Sequence, residues 1–238
     1  MIRDRTRGSP RALAIALGLL IGGCVTAVNR VVYLNDGAPP LPAMAPLAEA
    51  FVIVPLRAYV SIGNEALTAP VVPSVVGALN RIFFPAGLQF VLDGPAQTVG
   101  VPFGNRFDAA LAILPPRDTP LLRVAFVPRL FYDNGEEQGG DLVVRERAVL
   151  RLAAGPSVDP IARVTGHLIG AALGLRPSPD PLQLMAMGTT GVALDAAQAA
   201  VLRAAARRLP GSIPFAQAAR SGRFPEVVGF IRANAPPG

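Results

Sequence analysis

Apolar and polar positions along this chain sort into short periodic segments punctuated by proline and glycine. Residues Phe51 to Val60 form a β-rich run. From Pro73 to Phe84, Val75, Val76, Leu79, Ile82 and Phe83 fall at helical spacing, with Ser74 and Asn80 on the other side. Pro85-Ala86-Gly87 stops that helix, and Leu88 to Leu92 reads as a strand. Two more strands are predicted at Ala109–Leu114 and Leu121–Val127, separated by Pro115-Pro116. Asp133 to Asp141 is a turn-rich loop, and Leu142 to Leu152 alternates as a strand.

The helical signals are stronger in the second half. Asp159 followed by Pro160 is a start signal for a helix running to about Gly174. Asp195 with Gln198 three residues on predicts a capping box opening a helix to about Arg208. Beyond Pro210-Gly211, residues 212–234 offer two short helices broken by Gly222 and Pro225. No internal repeat is present.

The amino terminus reads as an address rather than as part of the fold. Residues 1–11 carry four arginines, and an apolar run from Ala12 to Gly23 follows, too short to span ~30 Å of hydrocarbon. It ends in Leu20-Ile21-Gly22-Gly23-Cys24, which resembles a bacterial lipobox with Cys24 as the lipidated residue. The domain reading is therefore 1–23 lipoprotein signal peptide, 24–50 lipidated cysteine and Pro/Ala-rich tether, 51–209 main domain and 210–238 C-terminal helical extension. It implies a protein of the bacterial cell envelope, held on the outer membrane and facing the periplasm.

Composition narrows the chemistry. The pI of 10.8 suggests an anionic partner, yet every cation is arginine and there is no tryptophan. With no basic-aromatic interleaving there is no stacking platform, so a nucleic-acid partner is not expected. Cys24 is the only cysteine and His167 the only histidine. No G-x-S-x-G occurs, and one imidazole must serve any nucleophile, which argues against a serine or cysteine hydrolase. The acidic loop of Asp133, Glu136, Glu137 and Asp141 could offer oxygens to calcium, but a solvated hairpin turn is the better reading.

His167 opens the segment His167-Leu168-Ile169-Gly170-Ala171-Ala172-Leu173-Gly174-Leu175-Arg176-Pro177. Laid on the pattern H-E-x-x-H-x-x-G-x-x-H, the first His and the Gly remain, Gly170 and Leu173 also match, and Met185 follows in the position of the Met-turn. This resembles the matrixin-type branch of the metzincin zinc proteases over roughly residues 50–208. The resemblance implies an α+β, zincin-like fold: a mixed twisted sheet with a long helix before it, the motif helix (about 159–174) packed on it, and C-terminal helices. In that family two His and a third bind zinc, the Glu is the general base and Met lies beneath the site. Here Leu168 replaces the base and Ala171 and Pro177 replace two ligands, so neither a three-His site nor bound zinc is expected. A lone His with Asp180 would be a poor substitute.

What this leaves is a pseudoenzyme that binds peptide or an envelope protein, through an edge strand expected at Leu121–Val127. Arg123 and Arg129 could instead protect that edge from pairing. The alternatives are an active zinc-dependent metallopeptidase with an atypical metal set, and a structural lipoprotein docked through its C-terminal helices. Packing of His167 beside Gly170, Ala171 and Gly174 would form a narrow strip on which a strand or loop could lie. Ile161, Val164, Leu168, Ala172 and Leu175 form the core stripe on the other side.

Overall fold

The computed structural model describes residues 46–236 apart from 119–120, 132–133 and 156–157. The leader, Cys24, most of the tether and Asp133 lie outside the described residues.

Strand β1 (Val52–Ser61) is the axis of the fold, and every one of its residues except Arg57 is buried. Helix α1 (Val72–Phe83) follows it, then β2 (Leu88–Leu92) and β3 (Gln97–Val99). Next come α2 (Phe107–Ala112), β4 (Leu122–Val127), β5 (Gly135–Gln138) and β6 (Asp141–Arg145). Helices α3 (Pro160–Ala172) and α4 (Ala196–Ala206), strand β7 (Ile213–Pro214), and helices α5 (Phe215–Ser221) and α6 (Pro225–Asn234) complete the order. The sheet runs β2-β1-β4-β6-β5, parallel except for β5, which pairs antiparallel with β6; β3 and β7 attach to the two ends of β1.

The twofold alternation of β1 divides the core. Val52, Val54, Leu56, Ala58 and Val60 face α1, α3 and α4. On the other face Phe51 and Ile53 meet Phe215, Val227, Val228 and Ile231, while Tyr59 meets α2. The C-terminal helices thus bury apolar side chains against the sheet of this molecule.

Several expectations need correction. Ala109–Leu114 is not a strand: Phe107, Ala110 and Leu114 recur at helical spacing and bury one face of α2 against the sheet. A short apolar run does not by itself distinguish the two. The turn-rich loop contains β5, closed by Gly139 and Gly140, both at positive φ as a tight hairpin requires. Asn80 is not on a solvent face. It is buried, and its side chain acts as a backbone group, donating to Phe90 O (2.9 Å) and accepting from Phe90 N (2.6 Å). Leu121–Val127 is not an edge, because β4 lies between β1 and β6 and is buried on both faces. Arg123 guards nothing there. It is buried and makes a two-point pair with Asp141 at 2.7 Å.

The strand expected over 142–152 ends at Arg145 because Glu146 turns inward. Its Oε2 accepts from the amides of Glu65, Ala66 and Leu67 at 2.8, 2.8 and 3.2 Å, fixing the β1–α1 loop to the end of β6. Charge-assisted bonds of this kind are the strong ones, and donors left unpaired cost more than a bond contributes. Glu146→Ala is therefore expected to lower unfolding free energy by about 3 kcal/mol, read from urea melts. A loss under about 0.5 kcal/mol would mean water replaces the carboxylate.

Candidate functional site

Helix α3 is the element on which the family motif falls. Asp159 caps it, accepting from Ala162 N at 2.8 Å, and Pro160 takes the first position, as read from the sequence. It packs on α1, β5 and β6, so almost its whole length is enclosed. Gly174, at φ 89°, ends it in a Schellman turn: Leu175 N donates to Gly170 O and Gly174 N to Ala171 O, each at 2.9 Å.

His167 is half-buried, and its Nδ1 lies 3.0 Å from Leu184 O. A carbonyl can only accept, so Nδ1 carries the proton of the neutral ring and Nε2 the lone pair. Burial holds the imidazole pKa below its ordinary value; the Leu184 bond raises it somewhat, and Arg163 lowers it. Arg163, one turn earlier, is buried. It donates from NH2 to Ala186 O at 2.5 Å and reaches Thr189 Oγ1 only at 3.5 Å, while its Nε has no partner among the described residues. Burial pushes its pKa down to about 10.

Met185 is buried, and a Cβ on Gly170 would stand 2.7 Å from its Sδ. Of the expected strip only Gly170 is covered by the loop, through Met185; Gly174 is exposed with open space beside it, while one turn earlier Gly166 is packed by Leu184 of the loop and by Phe83 and Leu79 of α1. Leu184 N and Ala193 N bond to Ala193 O and Leu182 O, both at 2.9 Å, and Ser178 N donates to Met185 O at 3.0 Å.

The substituted positions have other occupations. Leu168 is buried on the core side beneath β5, where a Cβ on Gly135 would meet its Cδ1 at 2.8 Å. Val164 and Leu175 are buried with it, whereas Ile161 and Ala172 are only half-buried. Ala171 is half-buried and Pro177 exposed. Asp180 is exposed and accepts from Leu182 N at 3.0 Å, serving its own turn. Of the acidic loop, Asp141 is held by Arg117 and Arg123, and Glu137 accepts from Gly140 N. Among the described residues no three His, Cys, Asp or Glu side chains come together as a metal set. The donors at the motif do not fit zinc: one imidazole, with a leucine, an alanine and a proline beside it.

Arg163 escaped the sequence reading. The available signal was its spacing, since it stands four residues before His167 on the same helical face. The free edge also escaped it. Among the described residues strand β5 pairs with β6 alone, and beside it a cavity of about 560 Å³ is lined by residues including Phe107, Leu130, Phe131, Arg106 and Glu136.

The lowered His167 pKa carries a prediction. The unfolded imidazole takes up a proton below about 6.5, the folded one only further down, so stability is complete above that pH and falls as pH drops through it. Urea melts between pH 7.5 and 5.5 should show that fall, and His167→Gln should remove its slope in this range. An unchanged slope in the variant would assign the effect elsewhere.

No protein-family model matches the chain, and no curated protein sequence matches it either. Among solved structures it is similar to the archaemetzincin from Methanopyrus kandleri, at 14% identity and TM-score 0.45, over 67% of this chain and 97% of that one. It is also similar to metalloproteinase-II from Bacteroides fragilis, at 9% identity and TM-score 0.40, over 75% of this chain and 60% of that one. The architecture observed, helices packed on a mostly parallel sheet, is of the mixed α and β kind expected from the sequence.

Proposed function

We propose that this protein is a lipid-anchored component of the bacterial cell envelope whose matrixin-like domain binds peptide or protein segments without cleaving them. One observation carries the loss of chemistry. The motif's base position is Leu168, buried under β5, and the second and third ligand positions are Ala171 and Pro177. Hydrolysis needs a base that can take a proton from water, and neither Leu168 nor its neighbours Val164 and Gly135 can do so. The binding part rests on β5 instead of on the interior β4. Its outer edge offers backbone donors and acceptors that an extended peptide can pair with, independent of any catalytic group.

The test mixes the protein with a library of unstructured peptides and follows amide exchange and peptide length together. Slowed exchange at 135–138 with peptides left intact is the expected result. Cleavage that a chelator abolishes would contradict the reading. The anchor is tested separately, by labelled fatty acid incorporated into the protein and lost in Cys24→Ala.

A further inference from the structure

The charge of this protein is unevenly placed. Residues 46–195 carry eleven arginines and thirteen acids, whereas residues 196–238 carry six arginines and Glu226 alone. Packing brings Arg203, Arg207, Arg208 and Arg232 to the end of the sheet where β1 begins, and Arg220 and Arg223 lie at the turn between the helices packed on it. Arg203 donates to Ala86 O at 3.0 Å and lies beside Gly87, against which Pro46 also packs. Arg207 and Arg208 end α4 a few residues before Ile213 and Pro214, which pair with Ile53 and Val52 at the start of β1. The Arg232 guanidinium stands over the ring of Phe215, whose amide donates to Phe51 O. Arg220 and Arg223 flank the turn between α5 and α6, Arg223 over the ring of Phe224.

Arg207, Arg208, Arg220, Arg223 and Arg232 are exposed. Among the described residues none of the six makes an ion pair, whereas Arg57, Arg106, Arg117, Arg123 and Arg147 each do. Helix dipoles account for Arg203, Arg220 and Arg232 in the last turns of their helices and for Arg207 and Arg208 at the end of α4, but not for Arg223, which stands before the N-terminus of α6.

We infer that this end of the domain is a contact surface for anionic lipid head groups, laid against the bilayer beside the point where residue 46 enters the fold. The inference rests on the anchored reading above and adds an orientation to it. Guanidinium groups match phosphate oxygens in planar pairs. A bilayer presents phosphates as a plane, which suits arginines spread over three helix ends better than a groove would. The aromatic rings here, Phe215, Phe224 and Phe230, are buried or half-buried against the core and give no stacking face for bases. Attraction to an anionic leaflet is worth roughly fivefold in partition for each arginine engaged, and fades within a Debye length of about 8 Å at physiological salt.

The experiment follows amide exchange of the full chain on vesicles of phosphatidylcholine alone, on vesicles that also contain phosphatidylglycerol, and with duplex DNA. Slower exchange over 207–212 and 220–224 is expected only with phosphatidylglycerol. High salt and the triple variant Arg207→Gln/Arg208→Gln/Arg223→Gln should both abolish it, with the melting temperature unchanged. Association with phosphatidylcholine but no added protection on phosphatidylglycerol overturns the surface and leaves the anchor standing. Protection on phosphatidylglycerol without association on phosphatidylcholine supports the surface and removes the anchor. Equal protection by DNA, lost in the same variant, overturns the lipid assignment in favour of a nucleic-acid partner.

Discussion

Leu168→Glu, which puts a carboxylate where the family resemblance would place the base, is expected to destabilise the fold by about 3–5 kcal/mol at pH 7 and to yield no protease. Leucine and glutamate have similar volumes, so the cost is charge rather than a cavity. Leu168 is 7% exposed and packs beneath Gly135 with Val164 alongside, and neither neighbour offers a cation or a donor side chain. A carboxyl placed there has its pKa raised by burial. The variant therefore keeps most of its stability below the unfolded Glu value of about 4.3 and loses it as pH rises through and above that value. Leu168→Gln, which cannot ionise, should cost less and show no such slope. Urea melts at pH 4.5 and pH 7 decide it. L168E as stable as the parent at pH 7 would mean that the space beneath β5 is an open, watered cleft.

Gly191→Ala is expected to cost about 4 kcal/mol, because the clash is with backbone. A Cβ there would overlap Pro181 O and stand 2.5 Å from Leu182 C, closer than real Cβ atoms come. Moving the two segments apart breaks the paired bonds between Leu182, Leu184 and Ala193, each worth about 1 kcal/mol, and disturbs the packing of buried Leu184 and Met185. It also withdraws Leu184 O from His167. As the chain holds one histidine, a single imidazole resonance reports the result: its pKa should move back toward the ordinary value as the ring becomes solvated. A variant within about 1 kcal/mol of the parent, with the same His167 titration, would show that this loop does not hold the ring in place.

Local features of the fold could be read from the sequence, while features set by distant partners could not. The caps at Asp159 and Asp195 depend on residues three positions away, and both form as expected, including the reciprocal bonds of Asp195 and Gln198. The runs at β1, β2 and β4 were visible because buried parallel strands are apolar throughout. Whether β4 was an edge depended on β6, which contacts it only in three dimensions. Strand β5 lies among glycines and acids, its role set by the hairpin with β6.

The candidate site divides in the same way. The helix, its small-residue strip and the core role of Leu168 follow from 3.6-residue periodicity. The Leu184 and Ala186 carbonyls that engage His167 and Arg163 do not, since a contact between Gly191 and Pro181 positions that loop. Asn80 and Arg163 make the same point, because a polar residue becomes a core residue only when its partner is known.

The absence of a zinc site is decided by the metal content of the purified protein after incubation with zinc and removal of free metal. Well under one zinc per chain and an unchanged His167 imidazole spectrum are expected. One tightly held zinc per chain, lost in His167→Gln, would contradict this and restore the reading of an active metallopeptidase with an atypical site.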